Sequence, residues 1–117
     1  MNNAVNKDNI LDQLDNIMDE RLNSPSDKSY VSSCFEKGND FLAKKLREET
    51  NELIEAVKSK NTEHIIHEAA DLWFHSLVAL SFNQVSSKDV LNELCNRFGL
   101  SGLDEKKMRK QKRYEDV

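Results

Sequence analysis

Residues that interrupt helices are scarce in this sequence of 117 residues, which contains one proline and three glycines. Because proline and glycine are the residues least compatible with a helix interior, their scarcity permits long helices. No apolar run approaches the length of about 18 residues that a membrane span needs, and the N-terminus has no hydrophobic signal segment. We therefore expect a single cytoplasmic domain, residues 1–117, with no membrane partner.

Cysteines and basic charge are also too few for several classes of protein. Cys34 and Cys95 lie far apart and form neither a CxxC pair nor a disulfide framework. The net charge of −4 provides no general basic field, so we expect no nucleic-acid partner. Residues 101–117 are rich in lysine and arginine, and we interpret them as a solvated tail or, alternatively, as an arm that contacts phosphate.

Apolar residues recur at helical spacing almost throughout residues 9–100, which we take as the core of the domain. The first helix ends before Asn23, ahead of the turn signal of Ser24 and Pro25. Ser29 caps a short helix that Gly38 ends, and a long helix follows. Residues 59–61 close that helix and Thr62 begins a second long one. Ser87 caps a last helix, which ends at Gly99.

This pattern predicts an all-α fold of four to five helices around a central antiparallel hairpin, because the two long helices are joined by a tight connection. Only 38% of the residues are hydrophobic, so we expect the small core to be completed in an oligomer. The predicted apolar face of the first long helix comprises Leu42, Leu46, Thr50, Leu53, Ile54 and Val57. That of the second comprises Ile65, Ile66, Ala69, Leu72, Trp73, Leu77 and Leu80.

Charged residues follow the margin of each apolar face in the predicted hairpin. Lys45, Glu49 and Glu52 share one strip of the first helix, with Glu48 one step closer to solvent. His64, Glu68, Asp71 and His75 share the corresponding strip of the second helix. Closure of the hairpin on its apolar faces would bring the strips together at one edge of the seam.

Converging carboxylates repel one another unless a cation neutralises them, and hard oxygen ligands suit Mg²⁺ or Mn²⁺. The spacing therefore permits a metal-dependent site for cleavage of phosphoanhydrides. The alternative is a solvated acidic surface, as is common on helices. We interpret His67 as a surface residue and Trp73 as part of the core or of a subunit interface.

Residues 44–52, KKLREETNE, and 68–78, EAADLWFHSLV, resemble the phosphoribosyl-ATP pyrophosphohydrolase family within the MazG-like all-α NTP pyrophosphatases. The superfamily motif is E-x-x-E followed by E-x-x-D on the next helix. The resemblance extends from about residue 9 to residue 109. It implies hydrolysis of phosphoribosyl-ATP to phosphoribosyl-AMP and pyrophosphate, the second step of histidine biosynthesis, by a homodimer.

The resemblance also implies the roles of individual residues. Mg²⁺, with Mn²⁺ as a possible substitute, would be bound by four acids: Glu49, Glu52, Glu68 and Asp71. Glu48 would be a further ligand or the base for the attacking water, so that Glu48 and Glu49 are the expected catalytic pair. Lys45 and Lys44 would contact substrate phosphates, and His75 would support the site through a hydrogen bond or by packing.

Three positions depart from the family pattern. Arg47 stands where the family usually has glycine, Phe74 where it usually has tyrosine, and Ser76 where an apolar residue is common. Two other functions remain open on the sequence. One is a related housecleaning NTP or dNTP pyrophosphatase using the same acids, and the other is a non-catalytic helical dimerisation module. Product assays with phosphoribosyl-ATP and a dNTP panel discriminate the first from the family's reaction, and stabilisation by Mg²⁺ that Glu49→Gln and Asp71→Asn variants lose discriminates the second.

Overall fold

The computed structural model describes residues 4–23 and 29–99, and these contain four α-helices and no strand. The helices are α1 (Ile10–Asn23), α2 (Tyr30–Ser59), α3 (Thr62–Phe82) and α4 (Ser87–Phe98). The all-α prediction is therefore confirmed. The predicted turn at Ser24 and Pro25 and the predicted basic tail of residues 101–117 lie outside the described residues.

Helix α2 is interrupted at Gly38, where the sequence predicts the end of one helix and the start of another. Gly38 has φ 79° and ψ −171°, a backbone conformation that is essentially restricted to glycine. The side chain of Ser29 accepts a hydrogen bond from the backbone N–H of Ser32 (3.3 Å) and caps the first segment, as predicted. The two segments run on as one element across the interruption.

The connection between α2 and α3 is two residues long, and each of the two residues caps the helix next to it. Lys60 has φ 62°, and its N–H donates to the carbonyl oxygen of Val57 (3.2 Å), which ends α2 in a left-handed cap. The side chain of Asn61 accepts a hydrogen bond from the N–H of His64 (3.0 Å) at the start of α3. The predicted antiparallel hairpin is thus observed.

The apolar core lies where α1 and the part of α2 on either side of Gly38 meet the C-terminal half of α3. Its buried members are Met18, Val31, Cys34, Phe35, Leu42 and Val78. Side chains that are partly buried pack against them: Leu22, Phe41, Phe74, Leu77, Ala79 and Phe82. The described core therefore covers the end of the hairpin near Gly38, and the acidic residues lie beyond it, toward the middle of the hairpin.

Several residues of the predicted apolar faces are exposed in the single chain. Ile54 and Val57 on α2 are 45% and 54% exposed, and Ile66 and Trp73 on α3 are 63% and 69% exposed. Leu42 of the predicted face is buried on α2 as expected, but so are Ala56 on α2 and Val78 on α3, which lie outside the predicted faces. The prediction of which stripe closes the hairpin was therefore wrong for Ile54, Val57 and Ile66, because α2 and α3 meet along a line closer to the charged strips.

The chain divides into two compact units at Ser86, and α4 belongs to the second. Helix α4 is amphipathic, and Arg97 Nε donates to Glu93 Oε2 (2.8 Å) one turn earlier. Its apolar side chains are each 40–47% exposed: Val90, Leu91, Leu94 and Phe98. None of the helices formed by the described residues is both long and apolar enough to span a membrane.

Candidate metal centre

Four carboxylates from α2 and α3 converge in the middle of the hairpin. One ligand oxygen from each of Glu49, Glu52, Glu68 and Asp71 lies within 4.8 Å of the others. On each helix the two acids are three residues apart, so they are neighbours on its surface. The two helices therefore bring together the four side chains that the sequence pairs as possible metal ligands.

Glu49 is the most deeply placed of these acids, with only 5% of the residue exposed. Its Oε1 lies 3.5 Å from Lys45 Nζ, whereas its Oε2 is buried without a hydrogen-bond partner. Burial raises the pKa of Glu49 above its usual range, and repulsion from Glu52 raises it further. A buried carboxylate oxygen without a donor is costly, so this position favours a cationic ligand.

Glu68 is buried as well, with 7% of the residue exposed, whereas Glu52 is exposed and Asp71 is intermediate. The sequence predicts that the charged strips converge at one edge of the seam, and the four acids do converge, but the burial of Glu49 and Glu68 was not predicted. Both lie within the α2–α3 contact, because the hairpin closes on the charged strips in this region. Two ligand atoms are thereby withdrawn from bulk water, which strengthens their attraction for a cation.

Lys45 lies at the border of the cluster and pairs with two acids. Its Nζ is 3.6 Å from Glu48 Oε2 and 3.5 Å from Glu49 Oε1. Burial alone would lower the pKa of Lys45, but attraction by Glu49 and Glu48 outweighs it and the pKa is raised. Glu48 itself is about half exposed and is not one of the four converging acids. Lys44 is exposed on the same helix.

His75 is buried and bridges α3 to the start of α2. Its Nδ1 lies 2.8 Å from the backbone oxygen of Asp71, which can only accept, so Nδ1 carries the proton. Its Nε2 therefore accepts from the Tyr30 hydroxyl at 2.8 Å. The sequence places Tyr30 only among the residues of the short helix. Tyr30 thus supplies a hydroxyl group beside His75. The neighbouring Phe74, whose ring centroid lies 6.5 Å from that of Tyr30, stands where the family usually has tyrosine and has no hydroxyl.

Two further histidines flank Glu68. His64 Nε2 lies 3.9 Å from Glu68 Oε2, and His67 Nε2 lies 4.0 Å from Glu68 Oε1 and 3.6 Å from Asp71 Oδ2. The side chain of His67 is 73% exposed, which agrees with its interpretation as a surface residue. Its place beside two of the converging acids was missed, although the spacing of four residues from Asp71 could have indicated it.

A groove of about 360 Å³ opens beside the cluster, between α2 and α3. It is lined by Asn51, Glu52, Glu55, His64 and Glu68. Two of these residues belong to the converging acids, so the groove leads to them directly. Asn51 and His64 add neutral hydrogen-bonding groups to this wall, and sequence reasoning gave neither a site role because neither alone forms a motif.

Known proteins resemble this chain over a range of residues that includes the acidic site. The sequence profile of the family described as phosphoribosyl-ATP pyrophosphohydrolase matches residues 11–98. A phosphoribosyl-ATP pyrophosphatase of Vesicomyosocius okutanii is 50% identical over 99 residues, covering 85% of this chain and 94% of the relative. The protein of that name from Azoarcus sp. BH72 is 52% identical over 91 residues, covering 78% and 85%. The resemblance found in the sequence is thus confirmed, and all four converging acids lie within the matched residues.

Proposed function

Because this chain belongs to the phosphoribosyl-ATP pyrophosphohydrolase family, we propose that it hydrolyses phosphoribosyl-ATP to phosphoribosyl-AMP and pyrophosphate. Similarity to proteins of that name over most of the chain supports this substrate above a general NTP pyrophosphatase or a non-catalytic module. The observation that carries the reaction is the convergence of four carboxylates within 4.8 Å. The reaction belongs to histidine biosynthesis, and we place the enzyme in the cytoplasm.

The four acids fit a divalent cation with hard oxygen ligands. Glu49, Glu52, Glu68 and Asp71 would hold Mg²⁺, or Mn²⁺ in its place. The unpartnered buried oxygen of Glu49 supports this assignment, since a ligand there would remove its unfavourable burial. When bound, the ion would neutralise the acids, attract phosphate oxygens and increase the acidity of a nearby water.

Glu48 and Lys45 lie where they can assist the transfer. Glu48 would accept a proton from the attacking water, since its carboxylate is half exposed and lies beside the cluster. The water oxygen forms a bond to the α-phosphorus, and the bond from that phosphorus to the bridging oxygen of pyrophosphate breaks. Lys45, held positively charged by Glu49 and Glu48, would stabilise charge on the phosphate oxygens. Lys44, exposed one residue earlier, is a weaker candidate for the same task.

The groove beside Glu52 and Glu68 would receive part of the nucleotide next to its reacting phosphates. Its wall carries Asn51 and His64, which can form hydrogen bonds with ribose or phosphate oxygens. His75 would support the site from beneath, because its hydrogen bonds tie the backbone of Asp71 to Tyr30. Neither His75 nitrogen is then free for substrate, so His75 would position the helix turn that carries Asp71.

We propose that the active form is a homodimer. Large apolar side chains are exposed on both long helices at the end of the hairpin that the described core does not cover, notably Ile54, Val57 and Ile66. Side chains of this size are normally buried against a partner when several lie on one small protein. A second copy would cover them and shield the acidic centre from bulk water.

The proposed function is tested by pyrophosphate release from purified phosphoribosyl-ATP with and without Mg²⁺. We expect Mg²⁺-dependent release from this substrate, with at least tenfold lower kcat/KM for each member of a panel of dNTPs. The matched control is Asp71→Asn, which keeps the size of the side chain while removing its charge. Turnover of the dNTPs at equal or higher kcat/KM would favour the general pyrophosphatase, and no release from any nucleotide would contradict the proposal.

A further inference from the structure

His67 stands beside the acidic centre and has no part in the proposed hydrolysis. Its Nε2 lies 3.6 Å from Asp71 Oδ2 and 4.0 Å from Glu68 Oε1. These three side chains offer one nitrogen and two oxygen ligand atoms, all within 4.8 Å of one another. The set shares Glu68 and Asp71 with the four-carboxylate centre but differs from it in chemistry, because it contains an imidazole.

The geometry of this set suits a tetrahedral ion better than Mg²⁺. With metal–ligand bonds of 2.0–2.2 Å, ligand atoms at the corners of a tetrahedron lie about 3.4 Å apart. The separations of 3.6 and 4.0 Å are close to that value, and the His67 side chain is 73% exposed and free to approach. Mg²⁺ instead prefers octahedral oxygen ligands, whose neighbouring atoms lie about 3 Å apart.

The spacing of residues along α3 also favours the binding of one ion by His67 and Asp71. His67 and Asp71 are four residues apart, so their side chains lie on the same face of α3 one turn from each other. Imidazole nitrogen with carboxylate oxygen suits Zn²⁺ and neighbouring transition metals, whereas carboxylate and water suit Mg²⁺. His67 therefore adds a preference for Zn²⁺ and similar transition-metal ions that the four acids alone do not have.

An independent observation indicates that this part of the hairpin is built for a cation. Glu49 is 5% exposed, and its buried Oε2 has no hydrogen-bond partner. Glu49 belongs to the group of ligand atoms that also contains Glu68 and Asp71. The unpartnered oxygen that favours a cation thus belongs to Glu49 on α2 and is independent of His67 on α3.

From these observations we propose that His67, Glu68 and Asp71 bind a transition-metal ion of the Zn²⁺ class at a site that overlaps the Mg²⁺ site. The two ions compete, because both require Glu68 and Asp71. Zn²⁺ therefore inhibits Mg²⁺-supported hydrolysis, and His67 sets how strongly it does so. The inference rests on the proposed function only for this inhibition, since binding of Zn²⁺ alone requires no turnover.

The test is calorimetric titration of the full chain, without a polyhistidine tag or nucleotide, with Zn²⁺ alone and with Co²⁺ alone. His67→Ala is expected to weaken both affinities at least about tenfold, since loss of even an outer partner of a metal ligand costs 10–100-fold. His64→Ala is the matched control: its imidazole lies 3.9 Å from Glu68 but is in neither group of converging ligand atoms found among the described residues. We expect that control to change the affinities less than threefold.

Mg²⁺ affinity, measured in the same way, should differ less than twofold between the wild type and His67→Ala. Circular dichroism checks that each variant is folded. A Cys95→Ser variant excludes the exposed thiol as the Zn²⁺ ligand. Unchanged Zn²⁺ affinity in His67→Ala, or loss of that affinity in Cys95→Ser, would overturn the proposal. Absence of pyrophosphate release would contradict the proposed function and leave the binding result to stand on its own.

Discussion

Glu49 combines two properties that are unfavourable in a chain without a cation. It is buried, and it lies among other carboxylates that repel its charge. Lys45 compensates for only one of its oxygens, because the other has no partner. Such an arrangement lowers stability in the absence of ligand, as is common where binding energy is needed.

Glu49→Gln should therefore separate stability from function. Without Mg²⁺ at neutral pH, we expect a higher melting temperature than in the wild type, because a buried charge is replaced by a neutral amide of the same size. Mg²⁺ at 100 times its Kd should stabilise the wild type by about 2.7 kcal/mol and the variant much less. Pyrophosphate release should fall at least about 100-fold. Calorimetric melting in EDTA and in Mg²⁺ measures both effects, and equal Mg²⁺ stabilisation of the two proteins would contradict the assignment.

Tyr30 is the second residue whose environment changes its chemistry. Although 49% of the residue is exposed, its hydroxyl donates to the buried His75. Desolvation, followed by the neighbouring Cys34 and the charges of Glu49 and Asp71, raises the pKa of Tyr30 to about 12. The folded state therefore keeps this proton when the unfolded chain has lost it. The stability that this provides is present below pH 10 and is lost as the pH rises toward 12.

Absorbance of tyrosinate at 295 nm, recorded by stopped-flow pH jump before unfolding, tests this assignment. The sequence has two tyrosines, Tyr30 and Tyr114, so the folded wild type should show one ionisation near pH 12. Tyr30→Phe should lack that step, and Tyr114→Phe should retain it. Complete ionisation of both tyrosines near pH 10 would mean that the hydrogen bond to His75 does not hold the proton.

At the scale of the helices, Gly38 allows the start of α2 to follow the core while the remainder pairs with α3. Its φ of 79° and ψ of −171° interrupt the helix without ending it. Just after it, Asn39 exchanges side-chain hydrogen bonds with Asn83 at the end of α3 (2.9 and 3.3 Å). These hydrogen bonds hold the interruption at Gly38 against the end of α3. This end of the hairpin is the one opposite the Lys60–Asn61 connection.

Gly38→Ala should destabilise the fold by about 1–3 kcal/mol, because residues with a Cβ rarely adopt this conformation. No atom lies within 4 Å of the position that the new Cβ would take, so the cost comes from the backbone and not from a clash. Gly38→Asn should be no better tolerated, since asparagine is enriched in left-handed helical conformation, which has a different ψ. Urea denaturation gives the free energies of unfolding. Values within 0.5 kcal/mol of the wild type for both variants would show that the interruption is not required.

The helices and their ends follow from the sequence, and the pairing of their faces does not. The cap at Ser29, the interruption at Gly38 and the break at residues 59–61 are local, so residue type and spacing suffice to predict them. The contact line between α2 and α3 depends on competition between two adjacent strips of each helix. The more apolar strip is the obvious choice, but in the single chain Glu49 and Glu68 are buried while Ile66 and Trp73 are exposed.

For the molecule as a whole, the burial of charged residues and the exposure of apolar ones on α2 and α3 have one consequence for assembly. Glu49 and Glu68 occupy the inside of the hairpin, and exposed apolar side chains such as Ile54, Val57 and Ile66 remain available for another surface. Each large apolar side chain that is left in water forgoes a stabilisation of about 25 cal/mol per Å² of apolar surface. A second copy of the chain is the occupant we propose, since each copy offers the same apolar residues and a symmetric dimer buries both sets at once.

This assembly can be followed through Trp73, the only tryptophan in the chain and 69% exposed in the single copy. Sedimentation at micromolar concentration should give twice the chain mass, and dilution should shift the tryptophan emission to longer wavelength as the dimer dissociates. Ile66→Asp places an unpaired charge in the proposed interface, so its dimer Kd should rise at least about 100-fold. Asn16→Asp adds the same charge on an exposed face of α1 and should leave the dimer intact. A wild-type chain that sediments as a monomer, or equal dimerisation of the two variants, would place the apolar strips outside the subunit interface.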